Sequence, residues 1–179
     1  MIAVTGGSRS GTSLMMQTLK ILGIPVIGEK FGANTYIEGN PKGYWEPSAD
    51  ISNEGVHEPL DGAIKLFGYS LYKSNQDCID HVIMCTRDES DAIKSTIKWM
   101  EHQEVPGLKA CEYNARFLHI ANLRNARAFL DETNKPFVEV KFEDITTNPK
   151  KVISKIVGFL GLKASDEIIK EAIDNVEVR

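Results

Sequence analysis

Residues 2–23 read "IAVTGGSRSGTSLMMQTLKILG", and this stretch decides the fold. "IAVT" (2–5) is a short run with β-branched residues that stops at two glycines, the pattern of a buried strand. "TSLMMQTLKILG" follows with Leu14, Met15, Thr18, Leu19 and Leu22 at helical spacing, and Gly23 closes it. Strand, glycine loop and helix in that order open an α/β domain. Within the loop, Gly6 and Gly11 have the spacing of the phosphate-loop pattern G-x-x-x-x-G-K-[ST], and Ser13 fills its last slot. The lysine of that pattern is missing. Thr12 stands in its place, and Arg9 appears earlier in the loop.

A loop that feeds a helix N-terminus presents unpaired backbone N–H groups at the positive end of the helix dipole, which suits a phosphate or sulfate group. Gly6, Gly7 and Gly11 let the backbone approach such a group without a Cβ in the way. Thr12 and Ser13 add hydroxyl donors, and Arg9 adds charge in a planar fork. In kinases and ATPases the loop lysine bridges the terminal phosphates while the Ser/Thr holds Mg²⁺. Without the lysine, ATP hydrolysis or kinase chemistry is the less expected outcome.

The rest of the composition bounds the class. A chain of 179 residues suits one domain with a real core, here expected over 1–179. A net charge of −4 argues against nucleic acid as a partner. No apolar run approaches the length of a membrane span, and "MIAV" runs straight into the glycine loop without a leader pattern. Cys78, Cys85 and Cys111 form neither a C-x-x-C pair nor an even set, so they read as reduced thiols of a cytoplasmic protein. His57, His81, His102 and His119 lack ligand spacing, and no metal is expected.

Further strands are expected over 63–71, 81–87 and 136–145, and helices over 88–103, 111–134, 148–161 and 165–176. Asp88 or Ser90 can cap the first of these helices, and Asn148 with Pro149 opens the third. In helix 111–134 the apolar positions include Phe117, Ile120, Ala121, Leu123 and Phe129. Residues 28–60 are rich in Gly, Pro and Asn. They read as a long, partly mobile loop with a short helix after Pro47. The alternation implies a P-loop-type three-layer sandwich: a central parallel sheet with helices on both faces and ligands at the carboxyl ends of the strands. Arg87 ends the strand at 81–87, and Ser95 lies eight positions on, just over two helical turns. That spacing allows a guanidinium and a hydroxyl to converge on one phosphate. Equally, Arg87 can pair with Asp88 or Asp91 and Ser95 can face solvent.

Taken together these pieces resemble the sulfotransferase family that uses 3′-phosphoadenosine 5′-phosphosulfate, or PAPS. "GGSRSGTSL" is similar to its 5′-phosphosulfate loop, and "VIMCTRDESDAIKS" to its 3′-phosphate segment. "NPKGYWEP" resembles a segment of its short bacterial-type members. "VEVKFEDITTNPKKVISKIVGFLGL" resembles its later strand and helix. The resemblance implies that Gly7, Ser8, Arg9, Ser10, Gly11, Thr12 and Ser13 hold the 5′-phosphosulfate, and that Arg87 and Ser95 hold the 3′-phosphate. It implies PAPS as donor, adenosine 3′,5′-bisphosphate (PAP) as product, no metal, and a small-molecule or glycan acceptor. Three residues compete for general base: Glu46 in "GYWE", Glu29 just after the first helix, and His57. Lys65, a cation in the apolar run "AIKLF", resembles a family lysine near the transferring sulfonate; the alternative is a side chain that snorkels at a strand end. The chain departs from the larger members in having no basic, glycine-containing C-terminal segment, which leaves Arg179 or a partner chain to close over the nucleotide. Tyr36, Tyr44, Trp45 and Trp99 are candidates for the acceptor pocket. Two other readings stand beside this one: a P-loop phosphotransferase with a deviant loop, and a nucleotide-binding member without catalysis.

Overall fold

The computed structural model describes residues 1–32, 37–103 and 108–177. Tyr36 and Arg179, named above for the acceptor pocket and for nucleotide closure, lie outside the described residues. Strand β1 (Ile2–Gly6) leads through the glycine loop into helix α1 (Thr12–Ile21), as the opening stretch predicts. Next come β2 (Val26–Ile27), α2 (Ala49–Glu54), β3 (Ala63–Lys65), α3 (Gly68–Lys73), β4 (His81–Thr86) and α4 (Glu89–Gln103). The chain finishes with α5 (Glu112–Thr133), β5 (Phe137–Lys141), α6 (Phe142–Thr147), α7 (Pro149–Leu160) and α8 (Asp166–Glu177).

All strand pairs are parallel, in the order β2-β3-β1-β4-β5. Side chains alternate across this sheet. Val4, Ile83, Cys85, Val138 and Val140 face one way, into a core shared with α1, α7 and α8. Ala3, Ile64, Val82 and Met84 face the other way, into a core closed by Leu71 of α3 and Ala126, Phe129 and Leu130 of α5. Helices therefore cover both faces, and the strands read as continuous apolar runs. The chain leaves β1 toward β3 and β2 along one face, and leaves β4 toward β5 along the other. The carboxyl ends of β1 and β4 thus flank the point where the winding reverses, the usual crevice for a ligand in such a sheet.

The caps follow local chemistry. Asp88 Oδ1 accepts from the Asp91 N–H at 3.1 Å, so Asp88 rather than Ser90 starts α4. Asn148 Oδ1 accepts from the Lys151 N–H at 3.3 Å with Pro149 in the first turn of α7, and Gly161 ends that helix in the left-handed region.

Three expectations need correction. The strand over 63–71 stops at Lys65. From Gly68 the burial repeats at helical spacing, with Gly68 and Leu71 inside and Tyr69 and Tyr72 outside, and α3 packs on α5 so tightly that a Cβ on Gly68 would meet the Asn122 carbonyl oxygen at 1.9 Å. The strand over 136–145 ends at Lys141, because Phe142–Thr147 turns into α6 with Glu143 and Asp144 in its first turn. In α5 the inward face runs through Ala115, His119, Ala126, Phe129 and Leu130, while Phe117 is 61% exposed. Small residues at 115 and 126 let α5 approach its neighbours closely, and that turns Phe117 outward.

Candidate active site

The glycine loop is held from below. His119 of α5 is buried, and its Nδ1–H donates to the Ser8 carbonyl oxygen at 3.0 Å. Thr96 of α4 donates its hydroxyl to the Ala92 carbonyl oxygen at 2.8 Å and can accept from the Ser8 hydroxyl at 3.3 Å. Gly7 lies so close above the imidazole that an added Cβ would stand 2.4 Å from His119 Cε1. Gly7→Ala is therefore expected to destabilise the protein by about 1–3 kcal/mol, the range for overpacking a filled site. Chemical denaturation checks this; a variant as stable as the parent would mean that His119 moves aside freely. On the other side of the loop, a Cβ on Gly11 would meet the Phe142 ring at 2.8 Å. Sequence spacing carries no sign of His119 or Thr96 as supports, because both lie far along the chain from the loop they hold.

Arg9 has a positive φ of 58°, uncommon for a residue with a side chain. Its Nε donates to Ser95 Oγ at 3.2 Å, and its guanidinium lies 5.8 Å from the Tyr44 ring centroid. Arg87, just past β4, donates from Nη1 to the Arg9 carbonyl oxygen at 3.4 Å and stacks over Phe142 at 4.4 Å. Arg87 and Ser95, which the spacing allows to converge on one phosphate, both contact Arg9. Among the described residues, neither Arg9 nor Arg87 forms an ion pair with a carboxylate. The Asp88 carboxylate caps α4 instead, and that of Asp91 faces Lys94 at 4.0 Å. Buried polar atoms without a hydrogen-bond partner among the described residues include Arg87 Nε, Ser10 Oγ and Thr5 Oγ1, all at or beside this loop. Such atoms call for an explanation, and an anion on the loop supplies one. The donor set is cationic arginines, hydroxyls and a helix N-terminus, and it fits a bisphosphorylated nucleotide.

Lys65 ends β3 on the α1 side of the sheet. Its Nζ donates to Ser13 Oγ at 3.2 Å and to Glu46 Oε1 at 2.6 Å. The ammonium is buried and the Glu46 side chain is 20% exposed. Burial pushes the Lys65 amine below its ordinary 10.5, the Glu46 carboxylate pulls part of it back, and the Arg9 charge adds to the lowering. The unfolded chain then binds more protons than the folded one between the two midpoints, so this lysine costs stability at neutral pH. The cost is relieved as pH rises toward 10.5. The stability of the parent relative to Lys65→Met is expected to increase over that alkaline window. A pH series of denaturant melts on both proteins reads it, and a flat difference would argue that Lys65 titrates normally.

One cleft of about 430 Å³ gathers these groups. Ser8, Arg9, Gly11, Thr12, Ser13 and Arg87 line one part, and Glu46 and Lys65 stand beside it. Phe67, Tyr69, Trp99, Leu108 and Leu118 form an apolar wall. Tyr44 also lines the cleft, whereas Trp45 packs under Lys20, whose Nζ is 4.2 Å from the ring centroid. Two base candidates are placed elsewhere. Glu29 is exposed and contributes its backbone, paired with that of Glu46 through bonds of 2.9 and 3.1 Å. His57 is exposed, and its Nε2 bonds the Glu54 carbonyl oxygen at 2.9 Å. Neither side chain lines the cleft.

Comparison with known proteins bears on this cleft. The family model described as "Sulfotransferase domain" matches residues 64–178, a span that includes Lys65, Arg87 and Ser95 and begins after the glycine loop. Among solved structures, a mouse sulfotransferase complexed with PAP superposes with a TM-score of 0.61 at 13% identity, over 99% of this chain and 63% of its own. Retinol dehydratase, in complex with androsterone and the inactive cofactor PAP, gives a TM-score of 0.59 at 14% identity, over 98% of this chain and 64% of its own. A sulfotransferase from Alicyclobacillus acidocaldarius gives 0.54 at 13% identity, over 98% of this chain and 93% of its own. At these identities the likeness establishes the P-loop-type α/β fold. The chain spans less than two thirds of the first two proteins. No match was found among curated protein sequences. Among the described residues, no helix is long and apolar enough to cross a membrane.

Proposed function

The chain belongs to the sulfotransferase domain family, and from that premise we propose that it moves a sulfonate from PAPS to a hydroxyl or amine of a small-molecule acceptor. The observation that carries this reading is the pair of guanidiniums, Arg9 and Arg87. Arg87 donates to the Arg9 backbone carbonyl and Arg9 to Ser95; both side chains lack carboxylate partners among the described residues and line the cleft that also holds Glu46 and Lys65.

PAPS, when bound, supplies a sulfonate on a leaving phosphate. The chain's own residues do the rest. The loop from Gly7 to Ser13 offers N–H groups and hydroxyls to the 5′-phosphosulfate at the start of α1. Arg87, Arg9 and Ser95 hold the 3′-phosphate. Glu46 takes the acceptor proton as it attacks. Lys65 presents an ammonium, aligned by Ser13, to the charge that grows on the leaving oxygen. Glu46 takes the base role over Glu29 and His57 because only its carboxylate lines the cleft. Among the described residues the charged side chains of the cleft are Arg9, Arg87, Lys65 and Glu46, all of which this scheme uses. The rest of the described lining joins aromatic and aliphatic side chains such as Phe67, Tyr69 and Trp99 to the neutral polar groups of Asn40, Ser52, Ser70 and Asn122, which favours a neutral, ring-bearing acceptor with polar substituents over a charged one. A single donor phosphate beside the sulfonate leaves no β,γ-pair for a lysine and Mg²⁺ to clamp, in keeping with Thr12 at the lysine position.

Thermal-shift titration without metal tests the donor assignment. PAP at ~100 times its Kd is expected to add roughly 2.7 kcal/mol of stability. Transfer of labelled sulfonate from PAPS to a panel of phenols, alcohols and amines tests catalysis. Stabilisation by ATP with Mg²⁺ but not by PAP would establish the phosphotransferase reading instead. PAP binding with no transfer to any acceptor would establish the silent one.

A further inference from the structure

We propose that Gln17 and Asn40 are positioning residues for Glu46: a buried amide strap fastens the segment carrying the base to the helix whose first turn holds the donor. This rests on the reading of Glu46 as the base.

Helix α1 turns an apolar face inward with Leu14, Met15, Met16 and Leu19, and places one amide among them. Gln17 is only 5% exposed. Its Nε2 donates to Asn40 Oδ1 at 3.1 Å and to the Gly43 carbonyl oxygen at 2.7 Å. Asn40 Nδ2 donates to the same carbonyl at 2.6 Å, so both ends of that side chain are engaged. An amide buried without its partners costs free energy, so these groups hold one another in place. Gly43 is three residues from Glu46. Over those three residues the chain has little freedom. The Tyr44 and Trp45 N–H groups both donate to the Lys30 carbonyl oxygen, at 2.6 and 3.1 Å, and Glu46 pairs with Glu29. Trp45 has a φ of 57°, which an aromatic residue rarely adopts, and its ring lies under Lys20 of α1.

A single helix thus performs two tasks. Its first turn presents Thr12 and Ser13 to the donor, and its next two turns, through Gln17 and Lys20, hold the segment that ends in Glu46. The distance from the transferring group to the base is set by one rigid element. A core filler at position 17 would need no amide; the other buried polar side chain of α1, Thr18, bonds within its own helix to the Leu14 carbonyl, whereas Gln17 reaches out to Asn40 and Gly43.

The test reads Lys65, whose amine is held up by the Glu46 carboxylate, and needs no acceptor. The Lys65 side-chain titration is followed by NMR in the parent, Gln17→Met, Glu46→Gln and the double variant. In Gln17→Met the titration is expected at lower pH than in the parent, as in Glu46→Gln, with no additional shift in the double variant. With 2-naphthol as acceptor probe, kcat falls by about tenfold or more while PAP affinity stays within about twofold, since ~1 Å of misplacement can cost ~100-fold in rate. Asn40→Leu, which removes the donor to Gly43 without adding charge and leaves the α1 core untouched, gives a smaller shift in the same direction should Gln17→Met fail to fold. An unchanged Lys65 titration in the strap variants, or an equal further shift on top of Glu46→Gln, overturns the strap. Unchanged turnover in Glu46→Gln overturns instead the base reading beneath it.

Discussion

Replacing Arg87 by alanine is expected to abolish the preference for PAP over adenosine 5′-monophosphate while leaving binding of the monophosphate nearly intact. The two nucleotides differ only in the 3′-phosphate, so the ratio of their affinities isolates the contacts to that group. Arg87 reaches the cleft from the end of β4 with its guanidinium stacked on Phe142 and its Nε buried and unpaired among the described residues. A guanidinium so placed can give a phosphate two parallel hydrogen bonds, each worth about 1.5–3 kcal/mol when charged. Their loss corresponds to roughly 100-fold or more in Kd for PAP, at about 1.4 kcal/mol per decade. The same substitution removes a cation that no carboxylate in the described structure balances, so the ligand-free protein is expected to melt at the parent temperature or above it. That combination, lost bisphosphate binding with retained stability, marks a residue kept for its ligand rather than for the fold. Parallel titrations of both nucleotides into both proteins decide it. A fall in affinity of the same size for both would place Arg87 at the 5′ end of the donor.

The features of the site that were legible in the sequence are those fixed by local backbone chemistry. The spacing of Gly6, Gly11 and Ser13 places a loop at a helix start whatever the rest of the chain does, and Arg87 after an apolar run marks a strand end in a parallel sheet. Lys65 stood out for a related reason: a cation inside "AIKLF" is costly unless it has a purpose. Tertiary pairings were not legible. His119 read as an ordinary histidine because its partner, the Ser8 carbonyl, is 111 positions away. That Arg9 contacts both Arg87 and Ser95 was not legible either, since the direction of α4 is set by packing against α5 and not by spacing. The strand endings at Lys65 and Lys141 were missed because short helices take over where close contact with α5, or a turn into α7, demands them. Glu46 led three candidates for the base, as a carboxylate that follows an aromatic turn. That Glu46, and neither Glu29 nor His57, lines the cleft is a tertiary fact that its local sequence does not carry.

Substituting Glu46 by glutamine is expected to lower turnover by about 100- to 10,000-fold, the range for removing a general base, with PAP binding unchanged. Glutamine matches the size of glutamate, and its carbonyl oxygen can still accept from Lys65 Nζ, so the segment from Asn40 to Glu46 keeps its place. Two effects then act in the same direction. The acceptor proton loses its destination, and Lys65 loses the carboxylate that opposes the lowering of its pKa by burial. A larger share of Lys65 is then neutral at working pH, and less ammonium is available to the leaving oxygen. Raising the acidity of the acceptor separates the two effects. An acceptor that is already deprotonated, such as a nitrophenolate, bypasses the base and recovers the part of the loss due to Glu46, while the part due to a discharged Lys65 remains and grows with pH. Lys65→Met should show the converse: a loss of kcat that no change of acceptor acidity restores and that leaves acceptor KM near the parent value, the mark of an interaction made in the transition state alone. Turnover by Glu46→Gln at the parent rate with every acceptor would move the proton transfer to another group, and the short Lys65–Glu46 contact would then serve only to compensate a buried charge.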